Sequence, residues 1–336
     1  MPAWVLSRQA PAEKRPLTLE RRPAPMPGRG QVRLRVLACG VCHTDLHLIE
    51  GDLPLKRRPL VPGHQVVGLI DRLGQGVRRR LGERVGVPWL HSACGACPDC
   101  CAGRENLCPK ARFTGWHVDG GFAESTVADV ESAYPLPSRY SDAEAAPLLC
   151  AGVIGYRALR LVGAAGRKRG FSLGLYGFGA SAHLTLQVAR AMGCSVFVFS
   201  RTPAHRSLAR SLGAAWAGSA QAQPPRLLHG SIIFAPAGGL VPKGLAALRP
   251  GGVLALAGIT MTTLPAMDYS LLYGERKLVS VANSTRADIR DFLSLAGKVR
   301  LKVETETFAF EEAPEALLRL KKGLVRGAAV LLAPAG

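Results

Sequence analysis

The second half of the chain alternates short apolar runs with segments of helical period, and this alternation constrains the fold most. The apolar runs Phe171–Tyr176 and Ser195–Phe199 flank Ala180–Met192, whose apolar residues recur with the period of a helix. Two more apolar runs follow at Ser231–Ala235 and Val253–Ala257. Buried strands that alternate with helices are typical of a parallel α/β sheet. The region from 151 to 285 therefore predicts a doubly wound parallel sheet.

Local sequence signals predict further helices and strands in this region. Thr202 followed by Pro203 suits an N-cap and a first helical position, and predicts a helix that runs to Gly213. A helical stretch is expected over Gly239–Leu248, and a last strand over Lys277–Ala282.

The first half has a different pattern. Residues 31–38 alternate polar and apolar side chains, and strands are also expected within Val61–Leu73 and Gly82–Pro88. Glycine and proline are frequent, and no long helical period occurs before residue 140. We predict a β-rich domain over 1–150, to which the tail 286–336 returns.

Composition and charge exclude several classes of protein. The 336 residues are 48% hydrophobic and 20% charged, which is enough apolar surface for two folded domains. The apolar stretches are too short for a membrane span, and the N-terminal residues lack the apolar core of a signal peptide, so we expect a cytoplasmic protein. The net charge of +19 is compatible with nucleic-acid binding, but the longest basic runs are only Arg78–Arg80 and Arg167–Arg169. We therefore expect the charge to be spread over the surface.

Cysteine spacing predicts one metal site. Nine cysteines are an odd number, and a long chain without a signal peptide favours metal or thiol chemistry over disulfides. Cys94, Cys97, Cys100 and Cys108 lie in one short loop, and four thiolates can close a tetrahedral zinc site. Because protein fills every position, this zinc would be structural. Cys101 is a spare thiol.

A second metal site is predicted from residues that lie further apart. Cys39 and Cys42 precede a histidine-rich segment, His64 follows a Pro-Gly turn, and Cys150 ends the first domain. Thiolate and imidazole ligands suit zinc. Two cysteines and one histidine leave one coordination position open, as a catalytic zinc requires.

A glycine-rich turn predicts a dinucleotide site. The turn follows the apolar run at Phe171–Tyr176 and opens a helix, which is the context that the dinucleotide fingerprint requires. Glycines allow the close approach of a pyrophosphate, and the helix N-terminus attracts its charge. The residues are Gly177, Phe178, Gly179, Ala180, Ser181 and Ala182.

Together these motifs resemble the zinc-containing alcohol dehydrogenases of the medium-chain dehydrogenase/reductase superfamily. The resemblance rests on CGVCHTDLH, PGHQ, the four-cysteine loop, DGGFAE, AAPLLCAG and YGFGASA, which occur in the family's order. It implies a GroES-like catalytic domain and a Rossmann cofactor domain. It also implies two zinc ions per chain: a catalytic zinc on Cys42, His64 and Cys150, and a structural zinc on Cys94, Cys97, Cys100 and Cys108. It gives Cys39 no ligand role.

The resemblance also implies how the reaction proceeds. Zinc polarises the alcohol or carbonyl oxygen, hydride passes to or from NAD(P)(H), and a proton leaves through Thr44, the cofactor ribose and His47. A threonine hydroxyl can both accept and donate, and a histidine exchanges protons near neutral pH. Asp45 resembles the residue that orients the zinc-bound histidine. His43 resembles a residue that contacts the pyrophosphate, and homodimers or homotetramers are expected.

Two positions depart from the family pattern: one is His43, where relatives can have a basic residue that contacts the pyrophosphate, and the other is Gln65. Gln65 follows the ligand histidine where a glutamate is usual, which leaves the site one charge more positive. We expect stronger polarisation of the substrate and slower exchange of the open ligand.

The end of the second strand predicts the choice of cofactor. An NAD-specific site usually places a carboxylate there, but this chain has Ser200 and Arg201, with Arg206 further along the helix. Serine and arginine can bind a 2′-phosphate, so we expect a preference for NADP(H).

Three alternatives stay open at this stage. The chain could be a specialised relative that acts on polyols or cinnamyl-type alcohols, and Trp89 and Trp116 either line its cleft or belong to the core. A zinc-stabilised nucleic-acid-binding protein would explain the charge but not the Cys42, His64 and Cys150 set. An inactive dinucleotide sensor would not explain why the chain has the ligand set Cys42, His64 and Cys150.

Overall fold

A computed structural model describes residues 1–165 and 170–334, so the basic run Arg167–Arg169 lies outside the described residues. The chain divides into two compact units, one formed by Met1–Cys150 with Thr285–Gly336 and the other by Ala151–Ser284. In the part of the chain that the structure describes, no helix has the length and apolar character needed to cross a membrane.

The strands, in chain order, are as follows: β1 (Pro2–Leu6), β2 (Leu17–Arg21), β3 (Gln31–Val41), β4 (Val66–Leu73), β5 (Arg84–Val87), β6 (Leu90–Ser92), β7 (Arg112–Phe113), β8 (Ser125–Asp129), β9 (Tyr134–Pro135), β10 (Ser172–Tyr176), β11 (Ser195–Phe199), β12 (Trp216–Gly218), β13 (Leu228–Ile233), β14 (Leu248–Leu256), β15 (Lys277–Ser280), β16 (Thr305–Phe308) and β17 (Ala328–Leu332). The α-helices are α1 (His43–Glu50), α2 (Pro98–Cys101), α3 (Asp142–Pro147), α4 (Val153–Leu161), α5 (Ala180–Ala191), α6 (Pro203–Ser211), α7 (Val241–Ala246), α8 (Arg286–Lys298) and α9 (Ala313–Lys321).

A seven-stranded sheet forms the centre of the first unit. Its strand order is β16-β17-β3-β4-β5-β9, and β8 also pairs with β3. In β3 the alternating polar and apolar side chains point to opposite faces, so that Val32, Leu34 and Val36 are buried in the core. The strands β16 and β17 come from the end of the chain and complete this sheet.

The second unit is built on a parallel sheet of order β12-β11-β10-β13-β14-β15. Because helices connect its parallel strands, β10 is buried along its whole length and β11 along nearly all of it. Tyr176 and Phe199 stack at 4.2 Å between ring centroids in its core. The predicted fold class, a β-rich GroES-like domain with a doubly wound parallel sheet, is confirmed.

Some predicted boundaries are wrong by a few residues. The strand expected at Ser231–Ala235 is β13, which begins earlier and ends at Ile233. The helix expected over Gly239–Leu248 is only α7, because Leu248 already belongs to β14. Thr202 and Pro203 do occupy the N-cap and first position of α6, although the Thr202 side chain makes no capping hydrogen bond.

Candidate active site and metal centres

The structure brings Cys42, His64 and Cys150 together. Their ligand atoms lie within 4.8 Å of one another, and Cys42 Sγ is 3.4 Å from His64 Nε2. Cys42 is the N-cap of α1, and Cys150 lies in a π-helical turn that follows α3. Two sulfurs and one imidazole nitrogen are a donor set that fits zinc and leaves a fourth tetrahedral position open.

A buried carboxylate orients two members of this trio. Asp45 is 1% exposed, and its Oδ1 accepts a hydrogen bond from His64 Nδ1 at 3.1 Å. Its Oδ2 accepts from the backbone N–H of Cys42 at 3.0 Å. The Nε2 atom of His64 is thereby left to face the two sulfurs. Gly63, which precedes the histidine, has φ of +92°, and a side chain there would collide with the ring of Phe122.

The charges of the trio depend on one another. A hydrogen bond from Cys150 lowers the pKa of the Cys42 thiol well below its usual value, and the same contact raises the pKa of Cys150. Burial opposes the charged form of His64, but Asp45 and Cys42 raise its pKa well above the usual value. Burial also raises the pKa of Asp45, against the effect of His64. The protonation of Cys42, His64 and Asp45 is thus coupled within one buried volume.

The four loop cysteines form a second cluster. The sulfurs of Cys94, Cys97, Cys100 and Cys108 lie within 4.8 Å of one another. The backbone N–H of Cys97 donates to Cys94 Sγ at 3.3 Å, and backbone hydrogen bonds of this kind lower the pKa of Cys94 to about 6. Backbone donors around sulfur favour the thiolate, which is the form that binds metal. The Cys101 thiol instead donates to the Ala96 carbonyl.

Cys39 is not part of either cluster in the described residues. It lies inside β3 and is 1% exposed, and burial raises the pKa of its thiol. Its sulfur lies against Gly63 and Gly121, where no Cβ would fit. The thiol is therefore a core side chain.

The predicted relay residues lie along α1. The backbone N–H of Thr44 donates to Cys42 Sγ at 3.4 Å, so Thr44 is held next to the trio. His47 lies in the last turn of the helix, and its Nδ1 is 2.6 Å from Asp52 Oδ2. His43 is exposed at the first helical position, with its ring 6.5 Å from that of His47.

An aromatic wall adjoins the trio, formed by Trp89, Phe113, Trp116 and His117. The ring of Trp89 lies 5.9 Å from that of His64 and 4.8 Å from that of Phe113. It also stacks on Trp116 at 6.0 Å. All four side chains are half-buried, and burial lowers the pKa of His117, with the positive charges nearby adding to the shift. The wall therefore presents aromatic ring faces, and the Lys56 ammonium lies 5.8 Å from the centroid of the Trp116 ring.

The glycine-rich turn of the second unit has the shape that a pyrophosphate needs. Gly177 has φ of +85°, and a Cβ there would lie 3.1 Å from the Ala235 backbone nitrogen. Gly179 is the N-cap of α5, and a Cβ there would meet nothing within 4 Å. A side chain at Gly179 would thus occupy open space before α5, while Ala182 is fully buried. Phe178, Ala180 and Ser181 complete the turn.

Ser200 and Arg201 follow β11 in the same unit. Ser200 is 5% exposed and its Oγ lies 3.5 Å from His205 Nδ1, whereas Arg201 is exposed. Arg206 donates to the backbone carbonyls of both residues at 2.8 Å, so it braces this turn.

Comparison with known proteins identifies the family of this chain. Residues 28–138 match the family described as an alcohol dehydrogenase GroES-like domain, and residues 182–298 match a zinc-binding dehydrogenase family. A probable alcohol dehydrogenase AdhA of Mycobacterium tuberculosis is 46% identical over 99% of this chain and 97% of that protein. An alcohol dehydrogenase of Geobacillus stearothermophilus is 35% identical over 95% of this chain and 96% of its own. This chain belongs to the zinc-dependent alcohol dehydrogenases.

Solved structures of the medium-chain superfamily share the fold. A cinnamyl alcohol dehydrogenase of Sorghum bicolor superposes with a TM-score of 0.89 at 29% identity, over 99% of this chain and 97% of that one. An acetophenone reductase of Geotrichum candidum in complex with NAD gives 0.88 at 25% identity, over 98% and 96%. As a zinc-dependent alcohol dehydrogenase, the protein is an oxidoreductase that interconverts alcohols and carbonyl compounds with a nicotinamide cofactor.

Sequence reasoning left part of this alcohol dehydrogenase site open or unseen. Trp89 and Trp116 could be assigned neither to the core nor to the site, and Phe113 and His117 were not predicted to lie beside them. The aromatic spacing directly after the four-cysteine loop was the available signal for the wall. That spacing alone could not predict that the rings lie near His64, because they are brought there by the pairing of β6 with β7.

Gln65 is 3% exposed and follows His64 directly in the chain. A Cβ on Gly40 would lie 2.5 Å from Gln65 Oε1, so the amide packs directly on the backbone of β3. The backbone carbonyl of Gln65 also accepts from the Gly40 N–H at 3.1 Å. The neutral side chain is thus fixed where the family pattern has a carboxylate.

Proposed function

We propose that this enzyme holds two zinc ions, a catalytic one on Cys42, His64 and Cys150 and a structural one in the four-cysteine loop. The observation that carries the proposal is the convergence of two sulfurs and an imidazole from three separate segments, with a buried carboxylate behind the imidazole. When bound there, zinc supplies a Lewis acid for the alcohol or carbonyl oxygen.

The residues of the chain supply orientation and proton transfer. Asp45 keeps Nδ1 of His64 hydrogen-bonded, so that Nε2 is the coordinating atom. Thr44, held next to Cys42, is the group whose hydroxyl takes the substrate proton, because a hydroxyl can accept and donate at once. His47 exchanges that proton with water, since its side chain is 20% exposed.

Cofactor choice follows from the turn after β11. The turn Gly177–Ala182 binds the pyrophosphate at the start of α5. Ser200 and Arg201 offer a hydroxyl and a cation where an NAD-specific site has a carboxylate. The proposed cofactor is therefore NADP(H), with NAD(H) used less well.

A second candidate substrate class has a specific observation in its favour. The aromatic wall begins beside His64 and offers ring faces that pack well on planar aryl groups. The sorghum relative is named for cinnamyl alcohol and the Geotrichum relative for acetophenone, both aryl compounds. Cinnamyl-type alcohols thus fit better than polyols, whose hydroxyls would need polar partners.

Assembly and location are part of the proposal. An exposed sheet edge at β15 and the exposed rings of Tyr269 and Tyr273 support a homodimer or homotetramer. None of the nine cysteines, all of which lie in the described residues, forms a disulfide, and this supports a cytoplasmic location, because zinc–thiolate sites require reduced cysteine.

Zinc content and activity of matched variants test the two-zinc proposal. Wild type is expected to carry two zinc ions per chain and to oxidise cinnamyl alcohol faster than ethanol or a polyol. Cys42→Ala should lose one zinc and all turnover while it stays folded. Cys97→Ala should lose the other zinc and unfold at lower temperature, because structural metal binding is coupled to folding.

Cys101→Ala is the control, since that thiol lies beside the loop ligands without joining them. It should keep both zinc ions and wild-type stability. A well-folded wild type with fewer than two zinc ions contradicts the assignment of one cluster.

A further inference from the structure

A lysine lies against the aromatic wall. The ring of Trp89 is 5.9 Å from that of His64 and stacks on the ring of Trp116 at 6.0 Å. The ammonium of Lys56 lies 5.8 Å from the centroid of the Trp116 ring, within the range of a cation–π contact. A proposed zinc ligand therefore borders one ring of the wall, and a positive charge borders another.

The segment that carries Lys56 is fixed to the wall on both sides. The indole N–H of Trp116 donates to the backbone carbonyl of Pro54 at 2.9 Å. Arg57 Nη1 lies 3.4 Å from Asp119 Oδ2, which follows the wall residues in the chain. Because these contacts precede and follow Lys56, the backbone holds its ammonium near Trp116.

The charge of Lys56 is not neutralised by the protein. Within residues 1–165 and 170–334, no carboxylate forms an ion pair with Lys56, and Asp119 pairs with Arg57 instead. Burial lowers the pKa of His117, and the positive charges of Lys56 and Arg112 lower it further. Two exposed cations thus act on this part of the wall.

An exposed ammonium without an acceptor in the described residues is available to a ligand. Its three N–H groups donate and cannot accept, so it favours an anion, and its hydrogen bond to a carboxylate is stronger than one to a neutral group. The ring faces of the wall favour a planar aryl group. Together the two features fit an aryl compound that carries a carboxylate.

We propose that Lys56 is a specificity-determining residue that selects aryl substrates with a carboxylate away from the reacting carbon. The inference rests on the aryl substrate class of the proposed function. With the reacting oxygen at the trio of Cys42, His64 and Cys150 and the ring along the wall, the carboxylate meets the ammonium. It takes no part in the reaction, since hydride and proton leave the carbinol group, and it acts on binding alone.

The test compares two substrates that differ mainly in charge, para-carboxybenzyl alcohol and its methyl ester. The kcat/KM of wild type should favour the acid about tenfold, which is the lower end of what a charge-assisted hydrogen bond gives. Lys56→Gln should lose this preference and Lys56→Arg should keep most of it. Lys56→Glu should favour the ester, because two carboxylates repel. Added salt should reduce the wild-type preference, because an exposed charge is screened.

Binding without turnover gives an independent measurement. In the absence of a nicotinamide cofactor, para-carboxybenzaldehyde should quench the tryptophan fluorescence of wild type at about tenfold lower concentration than that of Lys56→Gln. Lys14→Gln is the matched control, because Lys14 is an exposed lysine of the same unit. It should keep the wild-type affinity and the wild-type preference for the acid.

Two outcomes overturn the inference. In the first, wild type favours the ester; in the second, Lys56→Gln keeps both the preference for the acid and the affinity for the aldehyde, so that Lys56 only packs on Trp116. A wild type that oxidises aliphatic alcohols but neither benzyl compound would instead overturn the aryl substrate class of the proposed function. The fluorescence titration would then still decide whether Lys56 binds the carboxylate.

Discussion

At the scale of single residues, buried polar groups decide how the site is arranged. Asp45 binds His64 through one oxygen and the Cys42 backbone through the other, so one carboxylate sets the direction of two predicted zinc ligands. The resemblance of Asp45 to a residue of the family pattern indicated its contact with His64. The second contact follows from the N-cap geometry of α1, which requires an acceptor for the backbone N–H.

Ser200 carries the first prediction at this scale. Ser200→Asp places a negative charge where a 2′-phosphate is expected, and should reverse the preference for NADP(H). A charge-assisted hydrogen bond contributes about 1.5–3 kcal/mol, so the wild-type preference should be about ten- to hundredfold. The measurement is kcat/KM with both cofactors for wild type and variant. A wild type that favours NAD(H) would contradict the prediction.

At the scale of elements, the turn between β10 and α5 contains two glycines, Gly177 and Gly179, whose surroundings differ. The positive φ of Gly177 is a requirement of the fold, since a Cβ there would also press on Ala235. Gly179 has φ of −98° and open space around it, so the fold does not require a glycine there, and we propose that its lack of a side chain leaves room for the cofactor. The same substitution at Gly177 and at Gly179 is therefore expected to affect stability and cofactor binding differently.

Gly177→Val should lower the free energy of unfolding by about 2 kcal/mol or more, because a branched residue is strained at positive φ. Gly179→Val should change stability by less than about 0.5 kcal/mol, as surface substitutions usually do. It should nevertheless weaken cofactor binding at least about tenfold, because its side chain occupies the space before α5. Thermal unfolding and fluorescence titration with NADPH measure both effects. Equal destabilisation by the two variants would contradict this division.

At the scale of the whole molecule, the second unit leaves apolar surface to be covered. Tyr269 is 72% exposed and Tyr273 69%, in the segment before the edge strand β15. Exposed rings beside β15, which is the last strand of the sheet in the described residues, are typical of a protein interface. Light scattering should therefore give two or four times the 35.6 kDa of one chain. Tyr269→Arg with Tyr273→Arg should shift the protein toward the monomer, because the added cations repel each other across the interface. A monomeric wild type would contradict the prediction.

The sequence by itself determined the fold class and the chemistry. Periodicity separated the β-rich half from the parallel α/β half, because each pattern follows from local geometry. The four-cysteine loop and the Gly177 turn are also local, so spacing alone indicated what each could bind. Tertiary structure decided the rest. Cys39 is buried in β3, whereas Cys42 is the N-cap of α1 and lies beside His64. The ring of Trp89 contacts those of Phe113 and Trp116 because β6 pairs with β7. These contacts join segments that are far apart in the chain. Which residues meet depends on how the whole interior packs, so a short stretch of sequence cannot predict them.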